Sequence, residues 1–324
     1  MVHFKVHSKY FYSKLDNSGK KVYEKILDGW LNYKESITIS GFNGKVDYKD
    51  IFRYVYDDNP ELFYIDFNRV SVMFAPFTSI VSMKMLYPKS RCEQIKQDIA
   101  NVVLQVERLC KPGADKERVV YDYLVQNVTY STDLYAADAH NIKGALIDGS
   151  AVCEGYARAF KLLCDAVEVP CIMVSGTATD SNGTTEKHAW NIVRRNKNNY
   201  HVDVTWNCGI HTVSGVPLYY NVPDDYIAKD HIWQKNLWPN CTDSSEIDKH
   251  IVPVNGKKSL RETLVNMSKI KKPVFAVRFN RKFESTRDVM NMIDTVMASA
   301  PINVSSFSAT YHPSLDCAII WFNY

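Results

Sequence analysis

One stretch of the sequence decides the fold: Asp148-Gly-Ser-Ala-Val-Cys153-Glu-Gly-Tyr-Ala-Arg-Ala-Phe160. The pair Asp148-Gly149 predicts a turn, Ser150 is a candidate N-cap, and a helix is predicted to begin with Cys153 in its first turn. From Tyr156 onward apolar residues return every three to four positions, which is typical of an amphipathic helix packed on a core. A helix N-terminus has unpaired N–H groups and the positive end of the helix dipole, and both favour a thiolate. The stretch therefore places a candidate nucleophile, Cys153, at the start of a helix.

The composition is that of an ordinary globular protein. Of 324 residues, 46% are hydrophobic and 23% are charged, and 39 basic against 36 acidic residues give a net charge of +3. This near balance does not indicate a nucleic-acid partner or any particular oligomeric state. The N-terminus lacks the apolar core of a signal peptide, and no segment approaches the ~18 apolar residues of a membrane span. We therefore expect a cytoplasmic chain without a membrane span, although a secreted chain trimmed of its signal would have the same features.

The cysteines do not indicate a metal site. Eight are present, at Cys92, Cys110, Cys153, Cys164, Cys171, Cys208, Cys241 and Cys317. No two have Cys-x-x-Cys spacing, so neither a zinc ribbon nor a thioredoxin-type redox motif is predicted. We expect mostly free, buried thiols, no metal and no cofactor; disulfides would fit only a secreted protein.

The periodicity of the rest of the chain predicts three regions. Before the cysteine stretch it predicts helices at about 10–33, 47–56, 91–109 and 115–128, and strands at 36–40, 62–66, 69–74 and 79–86. After it come strands at 170–176, 188–194 and 200–206, loops to 241, then helices at 259–267 and 285–298 and strands at 273–279, 304–311 and 317–322. The predicted domains are an N-terminal α+β region (1–114), a catalytic core (115–245) and a small C-terminal α/β module (246–324).

A cysteine nucleophile needs a base and a group that orients the base, and two strands after the cysteine helix offer both. The candidates are His188 and Asp203. If Asn196-Lys197 forms a two-residue hairpin turn, Asp203 lies opposite Trp190, and His188 is its diagonal neighbour on the same face. Such neighbours are ~7–8 Å apart at the backbone, within reach of an imidazole and a carboxylate. We therefore expect Asp203 to accept a hydrogen bond from one ring nitrogen of His188.

The other ring nitrogen of His188 would then take the proton of Cys153, and the thiolate would attack an amide carbonyl. The backbone N–H of Cys153 is one candidate donor to the oxyanion, and Tyr130 and Asn141 are candidates for a second donor upstream. Trp190 and Trp206 are candidate walls of the cleft that would shield the ion pair from water. Alone, each of these residue types is more often structural than catalytic. Their order along the chain favours the functional interpretation.

Four blocks of sequence resemble the transglutaminase-like superfamily, in its bacterial and archaeal branch of transglutaminase-like cysteine peptidases. They are Gly149-Ser-Ala-Val-Cys153-Glu-Gly-Tyr-Ala, Pro170-Cys-Ile-Met-Val-Ser-Gly176, His188-Ala-Trp-Asn191 and Tyr200-His-Val-Asp203-Val-Thr-Trp206. The resemblance implies a papain-like α+β core, in which a cysteine helix packs on an antiparallel sheet that carries the histidine and the aspartate. It also implies that Cys153 is the nucleophile, His188 the base and Asp203 the orienting acid. The zinc-binding cysteine pairs of the peptide N-glycanases are missing.

The resemblance and the residues together predict an enzyme that transfers acyl groups from amide bonds of a protein or peptide through a thioester. Hydrolysis, as by a thiol protease or amidase, is favoured over cross-linking. Two alternatives stay open: a protein-glutamine transamidase or deamidase, and a non-catalytic binding or scaffold protein that retains the fold.

Overall fold

The computed structural model describes residues 2, 4–40, 47–75, 77–208 and 215–324. Helices and sheets are both present, and the α+β class predicted from the sequence is confirmed. The chain divides into two units. The first comprises Met1–Val174 and Ala189–Arg194, and the second comprises Ser175–His188 and Arg195–Tyr324.

The first unit is mainly helical. Its helices are α1 (Tyr10–Lys14), α2 (Asn17–Leu31), α3 (Tyr48–Asp58), α4 (Lys89–Leu109), α5 (Lys116–Asn127) and α6 (Cys153–Ala166). An antiparallel sheet has the order β1–β3–β2, where β1 is Ser36–Ser40, β2 is Ser71–Ala75 and β3 is Thr78–Ser82. A short parallel pair joins β4 (Thr129–Tyr130) to β5 (Ser150–Ala151).

Two predictions for this region are wrong. The helix expected over 10–33 is interrupted, because the Asp16 side chain accepts a hydrogen bond from Gly19 N and caps a new helix, α2. The strand expected over 62–66 is a 3₁₀ turn, Pro60–Leu62, followed by a single bridge between Ile65 and Met85. Its apolar side chains are completely buried, so the apolar run reflects burial and not strand pairing.

Helix α6 starts at Cys153 as predicted, but Ser150 is not its N-cap. The N-cap is Val152, without a side-chain hydrogen bond, because Ser150 is held in extended β5 by its pairing with Thr129. The polar side of the helix is buried as well as the apolar side. Lys161, for example, is fully buried and ion-paired with Asp165 at 2.8 Å. From Gly155 to Asp165 the helix is therefore buried on its polar side as well as on its apolar side.

The central sheet has five strands in the order β10–β6–β7–β8–β9. They are β6 (Cys171–Thr179), β7 (Thr185–Arg195), β8 (Asn198–Val202), β9 (Tyr220–Val222) and β10 (His231–Trp233). Within the first unit, Asn191 of β7 donates its side-chain N–H to Ala157 O of α6 at 3.0 Å and to Ile172 O of β6 at 3.3 Å. These bonds tie the cysteine helix to the sheet.

The hairpin turn of the second unit agrees with the prediction, whereas the strand after it is shorter than predicted. Asn196 and Lys197 have φ of 49° and 73°, as a two-residue type I′ turn requires. Strand β8 ends at Val202, and residues 204–208 form a helical turn. The prediction of a strand through Trp206 is therefore wrong. Asp203 is the cap that ends the strand and starts the turn, because its Oδ1 accepts a hydrogen bond from Trp206 N at 3.0 Å.

The C-terminal part of the second unit is a four-stranded sheet with two helices, close to the predicted elements. Its strands are β11 (Ile251–Val254), β12 (Val274–Phe279), β13 (Ser306–His312) and β14 (Cys317–Asn323), in the order β11–β12–β14–β13. Its longer helices are α8 (Lys257–Lys269) and α9 (Thr286–Ser299), after a short helix α7 (Asp224–Ile227). Both longer helices bury apolar side chains against the sheet. Strand β11, which is parallel to β12, was missed.

Candidate active site

Cys153 is the first residue of α6 and belongs to the first unit. It is a free, partly buried thiol that packs against Ala157, Met173 and Ala189. The positive end of the helix dipole favours an anion at this position. The thiol is therefore sheltered by apolar side chains on one side while it stays partly accessible.

A close approach of backbone fixes the start of α6. Val152 N donates to Ala139 O at 2.9 Å, in a 3₁₀ turn formed by Ala137–His140. A Cβ atom at position 155 would lie 2.4 Å from the same carbonyl oxygen. Because that distance is far shorter than a van der Waals contact, Gly155 is the residue that allows this turn to lie against the helix.

A network of charged side chains next to Cys153 was missed by the sequence analysis. Arg158 is buried and binds Glu154 Oε1 at 2.8 Å and Asp57 Oδ1 at 2.8 Å, and its guanidinium lies 3.7 Å from the Tyr56 ring centroid. His140 Nδ1 lies 3.2 Å from Glu154 Oε2. Burial raises the pKa of Glu154, but the charge of Arg158 and the hydrogen bonds from His140 and Arg158 outweigh it, so the pKa is lowered. The hydrogen bond to Glu154 raises the pKa of His140.

The two candidates for the second oxyanion donor differ in their environment. Asn141 is buried, and its side-chain N–H groups face Ala137 O at 3.1 Å and Asp138 Oδ1 at 3.4 Å. Its Oδ1 accepts from Lys143 N at 2.8 Å, so this side chain stabilises its own turn. Tyr130 is half exposed at the end of β4, opposite Ala151. Of the two, Tyr130 has the more accessible side chain.

The second unit brings His188 and Asp203 together. His188 Nε2 lies 2.7 Å from Asp203 Oδ2, the distance of a charge-assisted hydrogen bond. Asp203 is completely buried, and the His188 side chain is 7% exposed. Burial would raise the pKa of Asp203, but the charge and hydrogen bond of His188, together with those of His231, lower it well below its ordinary range. Asp203 is thus an ionised carboxylate in direct contact with the imidazole.

The two candidate cleft tryptophans lie in different places. The Trp206 ring centroid is 5.6 Å from that of His188, so the two rings are in contact. Trp190 belongs to the first unit and is almost completely buried. Trp206 is positioned by the same capping bond to Asp203 that starts the helical turn.

A second histidine of this site was missed. His231 Nε2 lies 3.1 Å from Asp203 Oδ2, and its Nδ1 lies 2.6 Å from Asp230 Oδ1. Tyr219 donates its hydroxyl hydrogen to the other oxygen of Asp230 at 2.7 Å. The segment has no clear period in sequence. A local signal is the pair Asp230-His231 directly before the apolar pair Ile-Trp.

His201, which is close to Asp203 in sequence, is used elsewhere. Its Nε2 lies 2.8 Å from Asp224 Oδ1, and its ring packs edge-on against Trp233. Burial lowers the pKa of His201 despite this carboxylate. A neutral, fully buried imidazole paired with another carboxylate is a weaker candidate for a base than His188.

Among the described residues, two groups contain side chains of the kind that ligate metals. They are His188, Asp203 and His231, and His201, Asp224 and Cys241. In the first group the nitrogen–oxygen distances are 2.7 and 3.1 Å, which are hydrogen-bond distances. Two ligands of one tetrahedral zinc ion would be farther apart, at about 3.3 Å, given metal–ligand bonds of ~2.0–2.1 Å. The geometry therefore favours direct hydrogen bonds in this group.

Within the described ranges, no helix combines the length and the apolar character that crossing a bilayer requires. The predicted cytoplasmic location stays a prediction.

Comparison with known proteins points to one family. Residues 100–204 match the model of the transglutaminase-like superfamily. No curated protein matches the chain with significant similarity. Among solved structures, a protein titled TGase is 16% identical over 52% of this chain and 50% of its own, with a TM-score of 0.30. The periplasmic domain of TgpA from Pseudomonas aeruginosa, bound to ethylmercury, is 19% identical over 40% of this chain and 56% of its own, with a TM-score of 0.27.

The chain thus spans about half of the length of these solved chains. The family match contains the cysteine helix, both strands of the hairpin and Asp203. Residues 100–204 are therefore similar to the core of the transglutaminase-like superfamily.

Proposed function

We propose that the protein is a thiol-dependent acyl-transfer enzyme that hydrolyses amide bonds in a protein or peptide. Cys153 is the nucleophile, His188 the general base and acid, and Asp203 the group that orients His188. One observation supports the proposal above the others, namely the buried 2.7 Å contact between His188 Nε2 and Asp203 Oδ2. A buried imidazole held by an ionised carboxylate is the arrangement that a histidine base requires.

The contact defines the tautomer of His188. Because Asp203 is ionised, His188 Nε2 donates the hydrogen bond, and Nδ1 of the neutral ring carries the lone pair. In the proposed reaction Nδ1 takes the proton of Cys153, and the thiolate attacks the amide carbonyl carbon. The N–H of Cys153 at the helix start donates to the developing oxyanion.

The carbon–nitrogen bond then breaks, and the proton on His188 passes to the leaving amine. This leaves a thioester on Cys153, and water, deprotonated by His188, hydrolyses it to a carboxylic acid and the free thiol. An amine in place of water would give transamidation from the same thioester.

The first test is the rate at which iodoacetamide alkylates individual cysteines, followed by peptide mass analysis. Cys110 is a matched control, since it is free and partly buried like Cys153 but lies at the C-terminal end of α4. Burial raises the pKa of Cys110. We expect iodoacetamide to alkylate Cys153 faster than Cys110. His188→Ala is expected to lower the alkylation rate of Cys153 and to leave that of Cys110 unchanged. Equal rates for the two thiols, or no effect of His188→Ala, would refute the enzymatic role.

The second test separates the reactions that share the thioester. The protein is incubated with a glutamine-containing protein and a labelled primary amine, with Cys153→Ala as the control. New peptide termini support the proposed hydrolysis. Incorporation of the label would instead identify a transamidase.

A further inference from the structure

His231 occupies an unusual position between two buried carboxylates. Its Nε2 lies 3.1 Å from Asp203 Oδ2 and its Nδ1 lies 2.6 Å from Asp230 Oδ1. The side chains of His231 and Asp203 are fully buried, and that of Asp230 is 2% exposed. All three belong to the second unit. Each ring nitrogen of His231 therefore faces a carboxylate oxygen in a site with little access to water.

This geometry determines the charge of His231. A carboxylate oxygen only accepts hydrogen bonds, so each ring nitrogen that faces one must donate, which makes the ring an imidazolium. Burial lowers the pKa of His231, but the hydrogen bonds and charges of Asp203 and Asp230 outweigh it, so the pKa is raised. One buried cation thus lies between two buried anions, which is the arrangement that makes buried carboxylates tolerable.

His231 also shares an acceptor with His188. Both Nε2 atoms lie within hydrogen-bond distance of Asp203 Oδ2, and the ring centroids are 5.3 Å apart. Trp206 covers both rings, at 5.6 Å from His188 and 4.6 Å from His231. A change in the charge of His231 should therefore shift the pKa of His188.

We propose that His231 is a positioning residue of the active site, which holds the Asp203 carboxylate towards His188 and compensates the charge of the second carboxylate, Asp230. The inference rests on the proposed function, since it assigns a partner to the base of that reaction. With His231 charged, Asp203, Asp230 and His231 carry one net negative charge. Without it they carry two, next to the same imidazole.

Several charged and titratable groups among the described residues interact with His231. They include Asp203, Asp230, His188 and Tyr219, whose ring centroid is 5.6 Å from that of His231. His201 also belongs to this set, because the charge of His231 contributes to the lowering of its pKa. Tyr219 donates to Asp230 and stays neutral, because burial raises its pKa well above the ordinary value. His201 is kept neutral by burial, which lowers its pKa. Asp203, Asp230 and His231 are therefore the charged groups of this cluster that the proposal concerns.

The test measures the pKa of His188 by NMR of histidine-labelled full-length protein, with Cys153→Ala to remove the thiol. A charge about 5 Å away in a medium of effective dielectric constant ~20 shifts a pKa by about two units. We expect His231→Gln to raise the pKa of His188 by about 1–2 units, because an uncompensated negative charge is left behind. Adding Asp230→Asn removes that charge, and the double variant is expected to return to the parent value within about 0.5 units.

His201→Gln is the matched control, because it removes another buried histidine that is paired with a carboxylate of this unit. It is expected to leave the pKa of His188 unchanged. A His231→Gln variant with an unchanged pKa of His188, or a double variant that fails to reverse the shift, would overturn the proposal. If the single variant does not fold, the comparison of the double variant with Asp230→Asn alone gives the same test, since Asp230→Asn leaves an extra positive charge and should lower the pKa.

The pH midpoint of Cys153 alkylation connects the inference to the reaction. It is expected to shift in His231→Gln and to return in the double variant, because the pKa of the proposed base, His188, shifts and returns with the charge beside it. A parent protein whose Cys153 is no more reactive than Cys110 contradicts the proposed function, while the NMR result still decides the role of His231. A reactive, His188-dependent Cys153 with no response to His231→Gln contradicts only the inference.

Discussion

Asp203→Asn is the substitution that tests the candidate site most directly. Asn retains the shape of the side chain and an oxygen to cap Trp206, but it loses the charge and one acceptor. Asp203 accepts hydrogen bonds from two imidazole rings, at 2.7 and 3.1 Å. A hydrogen bond to a charged group contributes about 1.5–3 kcal/mol, so loss of the bond from His188 corresponds to a rate about 10–100-fold lower. We expect iodoacetamide to alkylate Cys153 more slowly by that factor at neutral pH.

The same substitution is expected to lower the free energy of unfolding by about 3–5 kcal/mol, because it leaves a buried imidazolium with one partner fewer. Asp224→Asn is the matched control. Asp224 also accepts from a buried histidine, His201, at 2.8 Å, and from Cys241 N at 3.1 Å. Asp224→Asn is expected to lower the free energy of unfolding without slowing the alkylation of Cys153. Alkylation of the Asp203→Asn protein at the wild-type rate, or equal slowing by the two substitutions, would refute the assigned role of Asp203.

Three further predictions concern the surroundings of the cysteine helix and the pH dependence of stability. Arg158→Met is expected to lower the free energy of unfolding, measured by urea titration, by about 3–5 kcal/mol, because it leaves the buried Asp57 carboxylate without its cation. Arg53→Met is the control: Arg53 is paired with Asp50 at the surface, and its loss should cost less than about 1 kcal/mol. Gly155→Ala is expected to cost about 1–3 kcal/mol, since its Cβ would overlap a backbone oxygen, and an unchanged melting temperature would contradict this close approach. Because the pKa of His140 is raised in the folded protein, its pairing with Glu154 stabilises the fold fully below about pH 6.5. This contribution is lost as the pH rises through the folded-state pKa. His140→Gln should therefore lower the melting temperature more at about pH 5.5 than at about pH 8.5. Burial lowers the pKa of His312, so His312→Gln should show the opposite trend, and identical trends for the two would contradict both assignments.

Regular elements with a strong period were predictable from the sequence, and weak ones were not. Helix α4 and the strands and helices of the C-terminal sheet lie within a few residues of their predicted bounds, because each buries one face at a constant period. Strand β11 was missed because it has four residues and contains Pro253. Proline is tolerated there because β11 is at the edge of its sheet, where one side of the strand needs no hydrogen-bond donors.

The members of the site that were missed are those that tertiary contacts create. His231 lies in a strand of three residues, too short to show a period, and it reaches Asp203 only because β10 pairs with the distant segment Gly176–Ala178 of β6. Arg158 is a polar residue of a helix that was predicted to be amphipathic, yet it is buried and bonded to Asp57, which is 101 residues away in sequence. Neither contact has a local signal, because the partner is set by topology.

The pair of His188 and Asp203 was predicted correctly even though one premise was wrong. The parity argument assumed a strand that continued through Trp206, whereas β8 ends at Val202. The turn at Asn196-Lys197 sets the register of the hairpin as far as Val202, and this already determines the side on which the next residue begins. Beyond Val202 the capping hydrogen bond fixes the orientation of the Asp203 side chain. Its Oδ1 accepts from Trp206 N, and its Oδ2 faces His188. Because the strand ends at Val202, the two oxygens of the Asp203 carboxylate have different partners. One oxygen caps the helical turn, and the other contacts the proposed base.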